Sequence, residues 1–355
     1  MGMPSLDITF KNVASTAARR LQRGIIAVIL LDSAAQGEHV LMDAGDIPTT
    51  LSAVNQAYLT SAFVGYVNTP SKIYAYVLPT DAEDLSAALS YFETQKINYV
   101  AGPPSCTTEQ ATEIKNWIIA QRASKRYPKA VLPDTAADNE GIINFTTDEI
   151  KAGTQEYTTA EYCGRIAGLI AGTPAAISCT YAMLPEVTDV KRLTDTEMDA
   201  AIDRGELIVF HDGEKVKVGR GVNSLTTTTD TKQDPWKKIK IVETIDMIRD
   251  DLRLLTQDSY FGKYSNTYDN KCLLITAISS YFAQLETEGI LRAGESSVEI
   301  DIDKQRRYLK DEKHIDVSNL TDQEIKVADT GTKVFLAGQI GIPDTMEDVE
   351  LDIEF

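Results

Sequence analysis

Side chains that could do chemistry are sparse in this sequence and poorly grouped. There are three histidines, His39, His211 and His314, and none stands in an HExxH pattern or beside another ligand type. Four cysteines, Cys106, Cys163, Cys179 and Cys272, are scattered with no CxxC spacing, and they read as buried free thiols. No GxxxxGK[ST] loop is present to cradle a phosphate, and no GxSxG turn to expose a nucleophilic serine. Gly164, Gly168 and Gly172 are spaced by four, which on a helix makes a stripe of small residues for close packing rather than a dinucleotide loop. The run from Asp301 to Glu312 has the acidic spacing of a calcium loop but carries Arg306 where that loop needs glycine, so it reads as a solvated helix start. Gly219-Arg220-Gly221 reads as a tight turn more readily than as a phosphate nest. No catalytic, cofactor or metal-ligating residue can be assigned, and no cofactor is expected.

Composition narrows the classes further. The 355 residues suggest two domains. Fifty-three acids against 35 bases give a net charge of −18, which disfavours nucleic acid and anionic membranes as partners. No apolar run approaches the length of a membrane helix, and the first residues lack the pattern of a secretory signal.

The elements that would position any site fall into two patterns. From residue 24 to 185, strand and helix signals alternate, predicting a layered α/β domain with a largely parallel sheet. Strands are expected at 24–31, 72–78, 98–101, 129–132 and 141–145. Helices are expected at 49–63, from Asp81 to Glu93, from Thr107 or Thr108, and over 156–171. From 186 to 343 the pattern is α+β. Leu207–His211, Asp212-Gly213 and Lys215–Val218 predict a hairpin with a type I′ turn. Helices are expected from Asp234-Pro235 and over 269–288, with strands at 333–340 and 349–355.

The two ends are the informative part. Val349, Leu351, Ile353 and Phe355 alternate with Asp348, Glu350, Asp352 and Glu354, so a strand would be apolar on one face and acidic on the other. Residues 344–355 hold six acids and no base. Leu6, Ile8 and Phe10 alternate likewise, and residues 1–24 hold four bases against one acid. Such ends either pair as edge strands within their own subunit or add to a sheet edge of a neighbour. Burying the four large apolar side chains in a donated strand could contribute up to about 6–12 kcal/mol before ordering costs. Donation from one copy to the next is head-to-tail and propagates into rings or tubes. The hairpin is the acceptor candidate, through Leu207, Val209, Lys215 and Lys217.

Several stretches carry a resemblance. Gly331–Ile340 with Pro343–Val349, Gly164–Pro174, Gly219–Thr226 and Lys240–Ile248 resemble, in order, segments of contractile tail sheath proteins. The chain is most similar to the short sheaths of R-type bacteriocins and defective prophages of Gram-positive bacteria. The resemblance implies a structural subunit and no enzyme. It implies stacked six-fold rings around an inner tail tube, contraction triggered by a baseplate, and strand-donating arms at 1–23 and 344–355. Expected partners are other copies, the tube protein, and baseplate and tail terminator proteins, with no nucleic acid and no membrane contact. Assembly is expected in the bacterial cytoplasm, ahead of release in a phage tail-like particle or virion. It also implies an outer α/β domain at 24–185 on a sheath core at 186–343, with 12–22 and 341–345 as hinges. Lys304, Arg306, Arg307 and Lys310, with Lys313, are candidates to face the tube. The other readings of the residues are an α/β enzyme of unknown substrate and another self-assembling shell protein.

Overall fold

Residues 25–31 carry seven consecutive apolar side chains, and a strand of that composition is stable only with both faces covered. The computed structural model, which describes residues 23–354, places them as such a strand, β1 (Ile25–Leu31). Ile26, Val28 and Leu30 enter one core and Ala27 and Ile29 the other, all fully buried.

The chain continues as β2 (Gly37–Leu41), α1 (Ala53–Phe63), β3 (Lys72–Leu78), α2 (Ser86–Glu93), β4 (Tyr99–Ala101), α3 (Thr108–Ala123), β5 (Lys129–Pro133) and β6 (Ile142–Phe145). Next come β7 (Ile150–Ala152), β8 (Gln155–Tyr157), α4 (Thr159–Ala171), β9 (Val187–Asp189), α5 (Asp195–Asp203), β10 (Glu206–Leu207), β11 (Val209–His211) and β12 (Val216–Val218). The last elements are α6 (Ile239–Ser259), α7 (Tyr268–Thr287), β13 (Ser297–Ile300), α8 (Ile302–Asp311), α9 (Asp322–Val327) and β14 (Leu336–Gln339).

Seven strands form one sheet in the order β10-β6-β5-β4-β1-β3-β2, parallel except for the antiparallel pair β2–β3. α1 and α4 cover one face, and α2 and α3 cover the other. This is the layered α/β architecture that the alternating signals predict.

The described residues divide into two compact units. One runs to Asp246 and regains the chain from Asp344; the other spans Met247–Pro343. The change of pattern near 185 is thus no boundary between compact units. β10 adds to the parallel sheet through Leu207 opposite Phe145, which binds the segment after 186 to the α/β layers. In the second unit β13 and β14 pair antiparallel as a two-stranded sheet. α8 and α9 enclose a small core of Leu309, Val317 and Ile325.

Several element ends differ from expectation, each for a local reason. Residues 155–157 form β8, and α4 begins only at Thr159, where Thr158 and Glu161 cap each other. α2 begins at Ser86 rather than at Asp81, because Pro79–Ala82 closes a turn and Asp84 accepts the Ser86 amide at 3.0 Å. α1 starts at Ala53, capped by Ser52. Asp234-Pro235 opens a separate 3-10 turn ahead of α6. The hairpin turn has positive φ at Gly213 alone (106°), while the Asp212 carboxylate accepts the Glu214 and Lys215 amides.

The glycine stripe does what its spacing predicts. A Cβ on Gly164 would stand 2.7 Å from the Tyr58 ring, and one on Gly168 only 2.1 Å from the Ala62 carbonyl oxygen of α1. α4 and α1 therefore touch backbone to backbone. Gly168→Val is expected to cost the α/β unit about 2–3 kcal/mol through overpacking. Urea titration followed by fluorescence of Trp117 and Trp236 measures this, and an unchanged midpoint contradicts it.

Candidate functional site: the root of the carboxy-terminal arm

Two polar clusters organise the unit that contains the carboxy-terminal segment. The first is buried. Lys129, at the start of β5, is 2% exposed and places its ammonium 2.8 Å from Glu243 and 3.5 Å from Asp246 on α6. Arg122 at the end of α3 pairs with Asp246 at 2.8 Å and Glu140 at 3.2 Å, and Lys232 completes Glu140 at 2.8 Å. The Tyr99 hydroxyl donates to Glu243 at 2.8 Å, and Arg23 approaches the same carboxylate at 3.3 Å. Burial pushes the Glu243 carboxyl up, but the Lys129 and Arg23 charges outweigh it and hold it at about 2.

The second cluster holds the root of the arm. The Lys238 ammonium pairs with Asp344 at 2.5 Å and Glu347 at 3.4 Å. Arg220 pairs with Glu347 at 3.2 Å and Asp348 at 2.6 Å. The Thr180 hydroxyl donates to Glu347 at 2.8 Å. Two glycines make this possible. A Cβ on Gly221 would meet Cys179 Sγ at 2.9 Å, and one on Gly219 would meet Ile208 at 3.0 Å. The backbone therefore lies against residues 178–180 and carries Arg220 to the arm. Lys238 pulls the Asp344 carboxyl below the usual carboxylate range against the opposing effect of burial.

Beyond Asp348 the arm joins no strand up to Glu354. Val349 is 80% exposed, Leu351 75% and Ile353 76%. The expected strand at 349–355 is thus absent within the subunit as far as it is described. Leu6, Ile8, Phe10 and Phe355 lie outside the described residues.

The remaining candidates are dispersed. Leu207 belongs to β10 and is buried, not part of the hairpin; Val209 is buried in β11. Lys215 is exposed, while Lys217 pairs with Asp212 and lies 5.8 Å from the Tyr181 ring. The outer edge of β12 is taken by Ala182 and Leu184, and the Thr147 hydroxyl occupies Val209. On α8, Lys304, Arg307 and Lys310 are exposed and Arg306 pairs with Asp322 at 2.8 Å. Sequence reasoning missed Lys238, Thr180 and the role of Arg220. The glycine-flanked arginine was the available signal.

The four cysteines are free, and burial pushes the Cys106 and Cys179 thiols up to about 12. Among the described residues no group of His, Cys, Asp and Glu could hold a metal ion.

Residues 80–224 match the phage tail sheath protein central domain, and residues 231–351 match the phage tail sheath C-terminal domain. The tail sheath protein of Clostridium phage phiCD119 is 37% identical over 99% of both chains. The chain belongs to the phage tail sheath family. The sheath tail protein of Desulfitobacterium hafniense has the same fold, with a TM-score of 0.69, 18% identity, and 84% of this chain and 94% of that one covered. The anti-feeding prophage helical sheath in its contracted state gives a TM-score of 0.73 at 14% identity, over 100% of this chain and 99% of that one. This sheath chain is therefore a structural component of a phage or prophage tail, from a family of structural proteins rather than enzymes. No described helix is long and apolar enough to cross a membrane.

The buried cluster makes a direct prediction for the sheath subunit. Glu243 is held below its ordinary value of about 4.3, so its contribution is complete above about pH 5 and is lost as pH falls toward 2. Glu243→Gln removes the nearer partner of the buried Lys129 ammonium, leaving it only Asp246 at 3.5 Å, and should cost about 3 kcal/mol at neutral pH, with a smaller deficit near pH 3. Denaturant midpoints at the two pH values check both parts.

Proposed function

We propose that this chain is the repeating subunit of a contractile sheath, a helical homopolymer of six-fold rings around an inner tube. Its contraction drives the tube through a cell envelope, as in R-type bacteriocin particles. Copies are linked by strand exchange. The observation that carries this reading is the arm: its root is fixed by ion pairs, and three apolar side chains at strand period then stand in solvent. A subunit that kept its arm for itself would bury them.

The acceptor is best supplied by β13–β14. Among the described residues these two strands have no further neighbour, so each offers an open edge. The hairpin candidate has its edges largely occupied by residues 182–184 and Thr147. A two-stranded ribbon is marginal alone and gains from a third and fourth strand. The amino-terminal segment through Leu6, Ile8 and Phe10 is the second donor. The exposed Lys304, Arg307 and Lys310 of α8 suit an acidic tube surface. The α/β layers built on residues 24–185 form the outer domain, and baseplate and terminator proteins cap the polymer. Assembly takes place in the bacterial cytoplasm before the particle is released.

Leu351→Asp tests the link. The side chain is exposed, so the subunit's melting temperature should move little, with an effect within about 0.5 kcal/mol. Negative-stain microscopy of protein produced with its tube partner should show tubes for the parent and none for the variant. Tubes of normal length in the variant would sink strand donation by this arm.

A further inference from the structure

Beside the arm root lies a groove of about 900 Å³, walled by Met198, Ile202, Tyr181 and Phe210 and bordered by Thr345–Asp348. The Tyr181 and Phe210 rings are 5.6 Å apart, and Met346, 95% exposed, stands at its rim. This recess, whose lining mixes those apolar side chains with polar ones, is within easy reach of Val349, Leu351 and Ile353, which follow the rim at about 3.3 Å per residue. Apolar burial alone would draw the arm back into it, yet these side chains stand in solvent.

The wall of the groove supplies the opposing force. Asp195, Asp199 and Asp203 recur every four residues of α5, about 6 Å apart, and all three line the recess. They are exposed, and none has an ion pair among the described residues. Like charges at that spacing weaken a helix, so beyond Asp195, which suits the positive first turn, α5 itself gives no reason for the stripe. The arm carries Glu350, Asp352 and Glu354. Folded back, they would come within a Debye length, about 8 Å, of the aspartates. Arg220 neutralises only the root, through Glu347 and Asp348.

We propose that Asp195, Asp199 and Asp203 guard this groove against the subunit's own arm and hold the arm extended for a second copy. The proposal rests on the strand-donation reading. It predicts a specific response in the full-length, unassembled protein. Neutralising the stripe (Asp195→Asn, Asp199→Asn, Asp203→Asn) should let the arm fold back. Hydrogen exchange of the 349–355 amides should slow about tenfold, and tube formation should slow with it. Adding Leu351→Asp should restore fast exchange. Aspartate-to-glutamate changes at the three positions should behave as the parent. Salt at about 0.5 M, where the Debye length is about 4 Å, should slow arm exchange in the parent. This salt arm and the single Asp199→Asn change keep the test open if the triple variant misfolds.

Unchanged arm exchange in the neutralised and high-salt samples overturns the proposal. Protection that grows with protein concentration also overturns it, because the groove would then capture another copy's arm. Exchange is read before assembly. Tubes that persist after Leu351→Asp therefore count against strand donation without altering the exchange result.

Discussion

The attachment of α6 to the amino-terminal edge of the sheet is the constraint on which the rest of the first unit depends. Lys129 and Arg122 are buried cations, and a buried cation without a partner is too costly to tolerate. Glu243 and Asp246, one turn apart on α6, answer them. That fixes the rotation of the first two turns of the helix. It follows that Lys238, just before α6, presents its ammonium where Asp344 and Glu347 arrive. The arm's point of departure is set by charges in the interior.

The arm combines two kinds of residue that usually separate. Among its first five residues, Asp344, Glu347 and Asp348 are held by ion pairs and a threonine hydroxyl, which are directional and sensitive to salt. Its next six alternate apolar and acidic side chains, and in the proposed strand donation they would hold a sheet edge through burial and backbone pairing, which are far less sensitive to salt. Chemistry of one kind sets direction and chemistry of the other supplies cohesion. If copies are linked as proposed, the polymer could change the angle between subunits without losing their connection, as the proposed contraction requires.

Much of the α/β architecture was legible because each strand there is buried on both faces and each helix has one apolar side. Lys72–Leu78 and Tyr99–Ala101 needed nothing beyond pattern and turn residues. The misread ends share a cause. Glu156 and Asp81 carry helix-compatible side chains, but a two-residue turn and a proline settle the backbone first. β2 has only five residues, alternately exposed, and leaves little trace. The arm's alternation was plain in the sequence, whereas its anchor was not. Arg220 and Lys238 lie 127 and 109 positions from Glu347, and a pair that distant leaves no local pattern.

The glycine seam between α1 and α4 bears on elasticity. Where two helices meet through side chains, rotamer changes give the contact compliance. Where Gly168 lets the backbones touch, the restoring force is atomic repulsion, which rises far more steeply with compression. The layered body then behaves as a stiff block. In the proposed polymer of such blocks, imposed deformation would collect in the segments that join them, and elastic energy would be stored and returned there rather than inside the subunit.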